Sequence, residues 1–128
     1  MSINRIRARS LCTDSEFTLF MASLSEEIKE LTPGELHRNI QRTRELRDMY
    51  RSLYARLRLV NRDAIGSKRR EQLAINMHTQ AKAIMFDEAL GRFESRATVL
   101  AVSGRRRPRS IKAREIAPMQ PTSQRTGA

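Results

Sequence analysis

Seven cations stand between Arg51 and Arg70, namely Arg51, Arg56, Arg58, Arg62, Lys68, Arg69 and Arg70, against one acid, Asp63. Guanidinium groups meet phosphate in bidentate fashion, so a cluster of this composition suits a polyanion. Lys68, Arg69 and Arg70 open a helical pattern, where the backbone's partial positive charge disfavours cations by about 0.3–1 kcal/mol each. A local rule broken without local gain points to an anionic partner outside the chain. On the preceding helical pattern Arg44, Arg47, Arg51, Arg58 and Arg62 form one ridge about 27 Å long. Asp48 can pair with Arg44 or Arg51, and Asp87 and Glu88 stand ready to neutralise the Arg44 end. Arg47, Arg56, Arg58 and Arg62 have no acid three or four residues away. A second cationic run, Arg105, Arg106, Arg107 and Arg109, lies near the end of the chain.

Other chemistries lack their residues. There are two histidines, His37 and His78, and one cysteine, Cys12. That set holds no zinc site and no disulfide, and no cofactor or metal is expected. Cys12 has no neighbouring base to make it a nucleophile. Asp87 and Glu88 are adjacent on a helix and diverge, and no Gly-rich phosphate loop is present. The sequence therefore predicts a protein that is not an enzyme.

The elements that must position the cations follow from capping signals and apolar spacing. Thr13-Asp14-Ser15-Glu16 is a capping box, followed by Phe17, Phe20, Met21, Leu24, Ile28 and Leu31 in one stripe. This predicts a helix over about 14–31. Thr32-Pro33-Gly34-Glu35 combines a cap, proline at the first helical position and glutamate at the third. The seam Leu36, Asn39, Thr43, Leu46, Tyr50, Leu53, Leu57 and Val60, flanked by Ile40 and Tyr54, carries the second helix to about 62. Both tyrosines read as core-edge residues rather than base-stacking platforms. Gly66 ends the turn and Ser67 caps a third helix to about 102, with two apolar stripes. One holds Leu73, Met77, Ala81 and Ile84; the other holds Phe86, Leu90, Phe93, Ala97 and Leu100.

The expected fold is all-α. Helices two and three pair antiparallel about residues 63–66, so that Leu57 faces Leu73, Leu53 faces Met77 and Leu46 faces Ile84. The shorter first helix packs at the base of this hairpin and reaches no further than Tyr50. Residues 1–12 form a basic flexible N-terminus, 13–102 a three-helix domain and 103–128 a disordered basic tail.

Charge is segregated along this frame. The total is +11, with 21 of the 25 basic residues arginine. A GC-rich genome raises arginine content without function, so the distribution says more than the total. Residues 13–31 carry −4 and 32–62 carry +5, while 1–12 and 103–128 carry +3 and +6. This asymmetry marks nucleic-acid contact. The leading expectation is a largely sequence-nonspecific nucleic-acid-binding or accessory protein that grips the phosphates of DNA or RNA with the hairpin tip and tails. The alternative is a helical adaptor or regulator whose half-covered seam (Leu53, Leu57, Val60, Leu73, Met77) docks an acidic protein or a second copy as a homodimer. No apolar run reaches the ~20 residues of a membrane span, the tip is not amphipathic enough for a membrane surface, and no secretory leader is apparent. A cytoplasmic location, nucleoid or nucleus included, is expected.

Overall fold

The computed structural model describes residues 3–62 and 65–111, the side chains of 61, 67 and 104–111 excepted. Its elements are α1 (Arg5–Leu11), α2 (Asp14–Ala22), a 3-10 turn (Glu27–Glu30), α3 (Pro33–Asn61) and α4 (Gly66–Ile111). The described residues contain no strand. Those up to Ser95 belong to one compact unit and those from Arg96 to a second.

The two capping boxes form as the sequence implies. The Thr13 hydroxyl accepts from the Glu16 N–H at 3.3 Å, and the Glu16 carboxylate accepts from the Thr13 N–H at 3.1 Å. Thr32 and Glu35 repeat the arrangement at 3.1 and 2.8 Å, with Pro33 at the first helical position of α3. Each box satisfies N–H groups that a helix start leaves without partners. Gly66 opens α4 at φ +69°, a left-handed conformation that a side chain would strain.

α3 and α4 form the long hairpin, and the N-terminal elements pack at its base. The core joins Ala8, Leu11, Phe20, Leu46, Ala81, Met85 and Phe86. Phe20, Met85, Phe86 and Phe93 are wholly buried. α2 reaches Tyr50 of α3, whose hydroxyl donates to Glu16 at 2.6 Å.

Four expectations need correction. First, residues 1–12 are not a flexible basic arm over their whole length. Asn4 caps α1 by accepting from the Arg7 N–H at 2.9 Å, and Ala8 and Leu11 enter the core. Arg5 pairs with Glu27 at 3.4 Å, and Arg9 pairs with Asp14 at 3.3 Å and lies over the Phe17 ring. Second, the helix expected over 14–31 stops at Ala22. Ser23 turns its hydroxyl back to the Phe20 carbonyl at 2.6 Å and accepts from Arg92 Nη2 at 2.9 Å. Serine competes with the helix for backbone partners, and here a distant arginine secures the competing geometry.

Third, the first expected stripe of α4 is mostly exposed, Ala81 alone of its four residues being buried. Asn76, Thr79, Ala83, Phe86, Leu90 and Phe93 form one buried stripe at alternating spacings of three and four, and Ala81, Lys82, Met85 and Ala89 widen it on one side. Leu73, Met77 and Ile84 are 47%, 68% and 45% exposed. The register is at least one turn from that expected: Tyr50 stacks on Phe86 and Arg51 reaches Asp87, where the expected pairing set residue 50 opposite residue 80. Fourth, α4 continues past 102 to Ile111, through the first part of the expected disordered tail. The remainder of that tail, 112–128, lies outside the described residues.

Candidate functional site

The cationic ridge divides into a neutralised part and an open part. Arg44 bonds Glu94 at 2.9 Å, Arg47 bonds Asp48 at 3.0 Å and Asp87 at 3.4 Å, and Arg51 bonds Asp87 at 3.2 Å. Burial disfavours the Arg47 charge, but its bonds to Asp48 and Asp87 outweigh this and hold its pKa above the ordinary value. Arg47 and Arg51, both expected to meet phosphate, thus already have carboxylates from the chain itself. The sequence anticipated that α4 acids would neutralise the Arg44 end; the neutralisation reaches a further turn and two residues more.

Beyond Arg51 the picture changes. Arg56, Arg58, Arg62, Lys68, Arg69 and Arg70 are all exposed. Arg58 lies over the Tyr54 ring, 5.8 Å from its centre. Among the described residues, Arg56, Arg62, Lys68 and Arg70 have no acidic partner. Arg58 and Arg62 from α3 meet Arg69 from α4 along one groove of about 320 Å³. Its other walls are Tyr54, Leu73 and Met77 with the amides of Gln72, Asn76 and Gln80, and among the described residues no carboxylate lines it. Arg105, Arg106, Arg107 and Arg109 fall on the last turns of α4, where side chains are not described.

The expected apolar docking seam is also at this end. Leu53 and Leu57 are half-buried, whereas Val60 is 76% exposed and Leu73 and Met77 are open as well.

A second cluster, unforeseen as such in the sequence, sits at the hairpin base. Lys82 Nζ bonds Glu16 Oε1 at 2.8 Å with the two side chains only 9% and 7% exposed. The ammonium also lies 4.4 Å from the centre of the Tyr50 ring, which stacks on Phe86 at 5.9 Å and 8°. Burial alone would raise the Glu16 pKa, but the bonds from Lys82, Tyr50 and the Thr13 N–H win, and it falls below 4.5. Burial likewise opposes the Lys82 charge, and the Glu16 bond overcomes it, taking Lys82 above 10.5. Burial and the Glu16 carboxylate raise Tyr50 above 10.0. The pKa values of carboxylate, ammonium and phenol all move further from 7, the opposite of what proton transfer near neutral pH requires. The cluster is a locked charge pair. Glu16 was legible only as a capping residue, and the one sign of Lys82 was a lysine amid apolar neighbours on α4.

Cys12 touches this base through its Sγ, 3.4 Å from Met85 Sδ. Burial pushes the thiol up from 9.0 to about 11, and the Glu16 carboxylate adds to the effect. Native Cys12 is expected to react with iodoacetamide at pH 8 about a hundredfold more slowly than an unshifted thiol. Mass spectrometry of native and urea-unfolded samples checks this, and equal labelling rates would contradict it.

Compared with family models, with curated proteins and with solved structures, the chain matches none. Function therefore rests on the geometry alone. Among the described residues no group of His, Cys, Asp and Glu is placed to hold a metal ion, and no helix is long and apolar enough to cross a membrane. The distal groove brings the arginines at the end of α3 and the start of α4 to one concave surface.

Proposed function

We propose that this is a non-enzymatic, largely sequence-nonspecific nucleic-acid-binding protein that holds phosphates at the hairpin end, assisted by its basic C-terminal region. The supporting observation is the exposed, cation-rich hairpin end, where among the described residues Arg56, Arg62, Lys68 and Arg70 have no acidic partner while Arg44, Arg47 and Arg51 nearer the base are paired. Convergent cations on low-dielectric walls concentrate potential at one place. With no groove-reading helix motif or RNA-stacking sheet, contact is to the phosphate backbone, and sequence discrimination is small. A cytoplasmic setting, nucleoid or nucleus included, accords with such a partner.

Replacing Arg56, Arg62, Lys68 and Arg70 together with Ser is expected to flatten the slope of log affinity against log salt by about two to four units. Affinity at roughly 0.15 M salt should fall about tenfold to a hundredfold, equally for unrelated DNA and RNA sequences. The fold should survive, since these side chains are exposed, and the melting temperature should hold or rise slightly because two cations leave a helix start. Fluorescence anisotropy across a salt series with a thermal melt makes the test. Wild-type protein that shows no salt-sensitive binding sinks the proposal, as does complete loss of binding on removal of 103–128 when the four substitutions do nothing.

A second reading has its own support in the exposed apolar residues at the same end. Leu59, Val60, Ile65 and Met77 are between 67% and 81% exposed. On this reading the protein is an adaptor that docks an acidic partner or a second copy of itself through Leu53, Leu57, Val60, Leu73 and Met77. A protein partner, or a second copy, whose binding is abolished by Leu57→Asp but survives the four tip substitutions would favour it over nucleic acid.

A further inference from the structure

The hairpin end carries apolar side chains that phosphate contact leaves unused. Leu59 and Val60, on the last turn of α3, are 67% and 76% exposed, and Ile65, just before α4, is 81% exposed. A nucleic-acid backbone is charged and hydrated and offers them no apolar surface, although each gains by leaving water. Their setting is cationic. Arg56, Arg58, Arg62, Lys68, Arg69 and Arg70 are exposed in the same segment, and no acid stands among the described residues from 49 to 70. Glu71 comes next. Aliphatic groups flanked by Arg and Lys suit an anionic bilayer, whose headgroups attract the cations and whose acyl boundary takes the aliphatic groups. A second copy docked tip to tip would instead press like charges together. The depth also fits. At 1.5 Å per residue Leu59 lies about 3 Å and Arg56 about 7.5 Å below the end of α3. Entry end-on by the roughly 5–10 Å of interfacial groups would bury the first and leave the second at headgroup level. The sequence lacks an amphipathic stripe for a helix to lie flat on a membrane, but an end-on hairpin needs none.

We infer that the hairpin end seats on anionic phospholipid bilayers, with Leu59, Val60 and Ile65 in the acyl boundary and the neighbouring Arg and Lys on the headgroups. This goes beyond the nucleic-acid reading and does not depend on it. The test is co-sedimentation of the full chain with vesicles of phosphatidylcholine, alone or with about 30% phosphatidylserine. Binding should require phosphatidylserine and weaken with salt. Leu59→Ser, Val60→Ser and Ile65→Ser combined should weaken it about a hundredfold or more and leave binding to duplex DNA unchanged. Thermal melts confirm folding, which substitutions at exposed positions should preserve. The chain has no Trp, so Val60→Trp is a sole reporter. Its emission should shift to the blue on phosphatidylserine vesicles and not on DNA. Wild type that ignores these vesicles at low salt overturns the inference and leaves nucleic-acid binding intact. So does a triple variant that binds vesicles like wild type, or one that loses DNA and vesicles alike. Emission from Val60→Trp that stays that of an exposed indole overturns it too. A solution dimer by light scattering that the triple variant breaks does the same, since the apolar residues then join two copies. Vesicle binding by a protein that ignores DNA and RNA supports the inference and removes the nucleic-acid reading alone.

Discussion

Lys82→Met is expected to destabilise the protein by about 3 kcal/mol, because it leaves the Glu16 carboxylate buried without its counter-charge. The value lies at the lower end for a broken buried pair, since Tyr50 and the Thr13 N–H still donate to Glu16. Adding Glu16→Gln should recover about half or more of the loss, as removing both charges costs far less than removing one. The pH dependence carries the same signature. The folded pKa of Glu16 is depressed, so its stabilisation is present above 4.5 and disappears as pH falls through the folded value. The folded pKa of Lys82 is raised, so its stabilisation is present below 10.5 and disappears as pH climbs through the folded value. Wild-type protein should therefore show little dependence from this pair between those limits. In Lys82→Met, protonation of Glu16 relieves the unpaired charge, and the penalty should shrink in acid. Urea titrations at a series of pH values measure all of this; a penalty that stays constant down to pH 3 would contradict it.

Phe86→Ala should cost more, about 3–5 kcal/mol. Phe86 is wholly buried in the cluster that joins α1, α2, α3 and α4, and its ring is the surface on which Tyr50 stacks. Truncation opens a cavity and loosens the phenol that donates to Glu16, so two contributions fail together. Domains of this size have only about 5–15 kcal/mol in total. The melting temperature should drop by about 12–30 °C. Phe86→Leu, which keeps most of the volume, should lose about half of that or less. Calorimetry settles the comparison, and an Ala variant within a few degrees of wild type would show that the site collapses without cost.

The hairpin and its capped starts were legible because Thr32-Pro33-Gly34-Glu35 and the α3 seam signal the same structure at two levels. The register of α4 was not. Apolar periodicity selected Leu73, Met77 and Ile84, while the buried stripe begins with Asn76 and Thr79, polar residues that a hydrophobic pattern passes over. α1 escaped because its three arginines dominate the composition. Its signals were the Asn4 cap and the spacing of Ala8 and Leu11, and the charge is answered by acids outside the helix, Asp14 and Glu27. At the candidate site, the clustering of cations near the turn was readable from spacing. Which of them are spent on Asp87 depends on the register, and that information is tertiary.

The Ser23–Arg92 and Ile3–Glu88 hydrogen bonds join positions 69 and 85 residues apart. The N-terminal elements are thus closed by core residues made 69 or more positions later. At about 5–20 residues per second, the Phe17–Phe20 surface of α2 waits roughly 3–14 s for its cover. During synthesis that surface is an open hydrophobic patch beside an acidic stretch, so the nascent chain exposes apolar area that the finished protein hides.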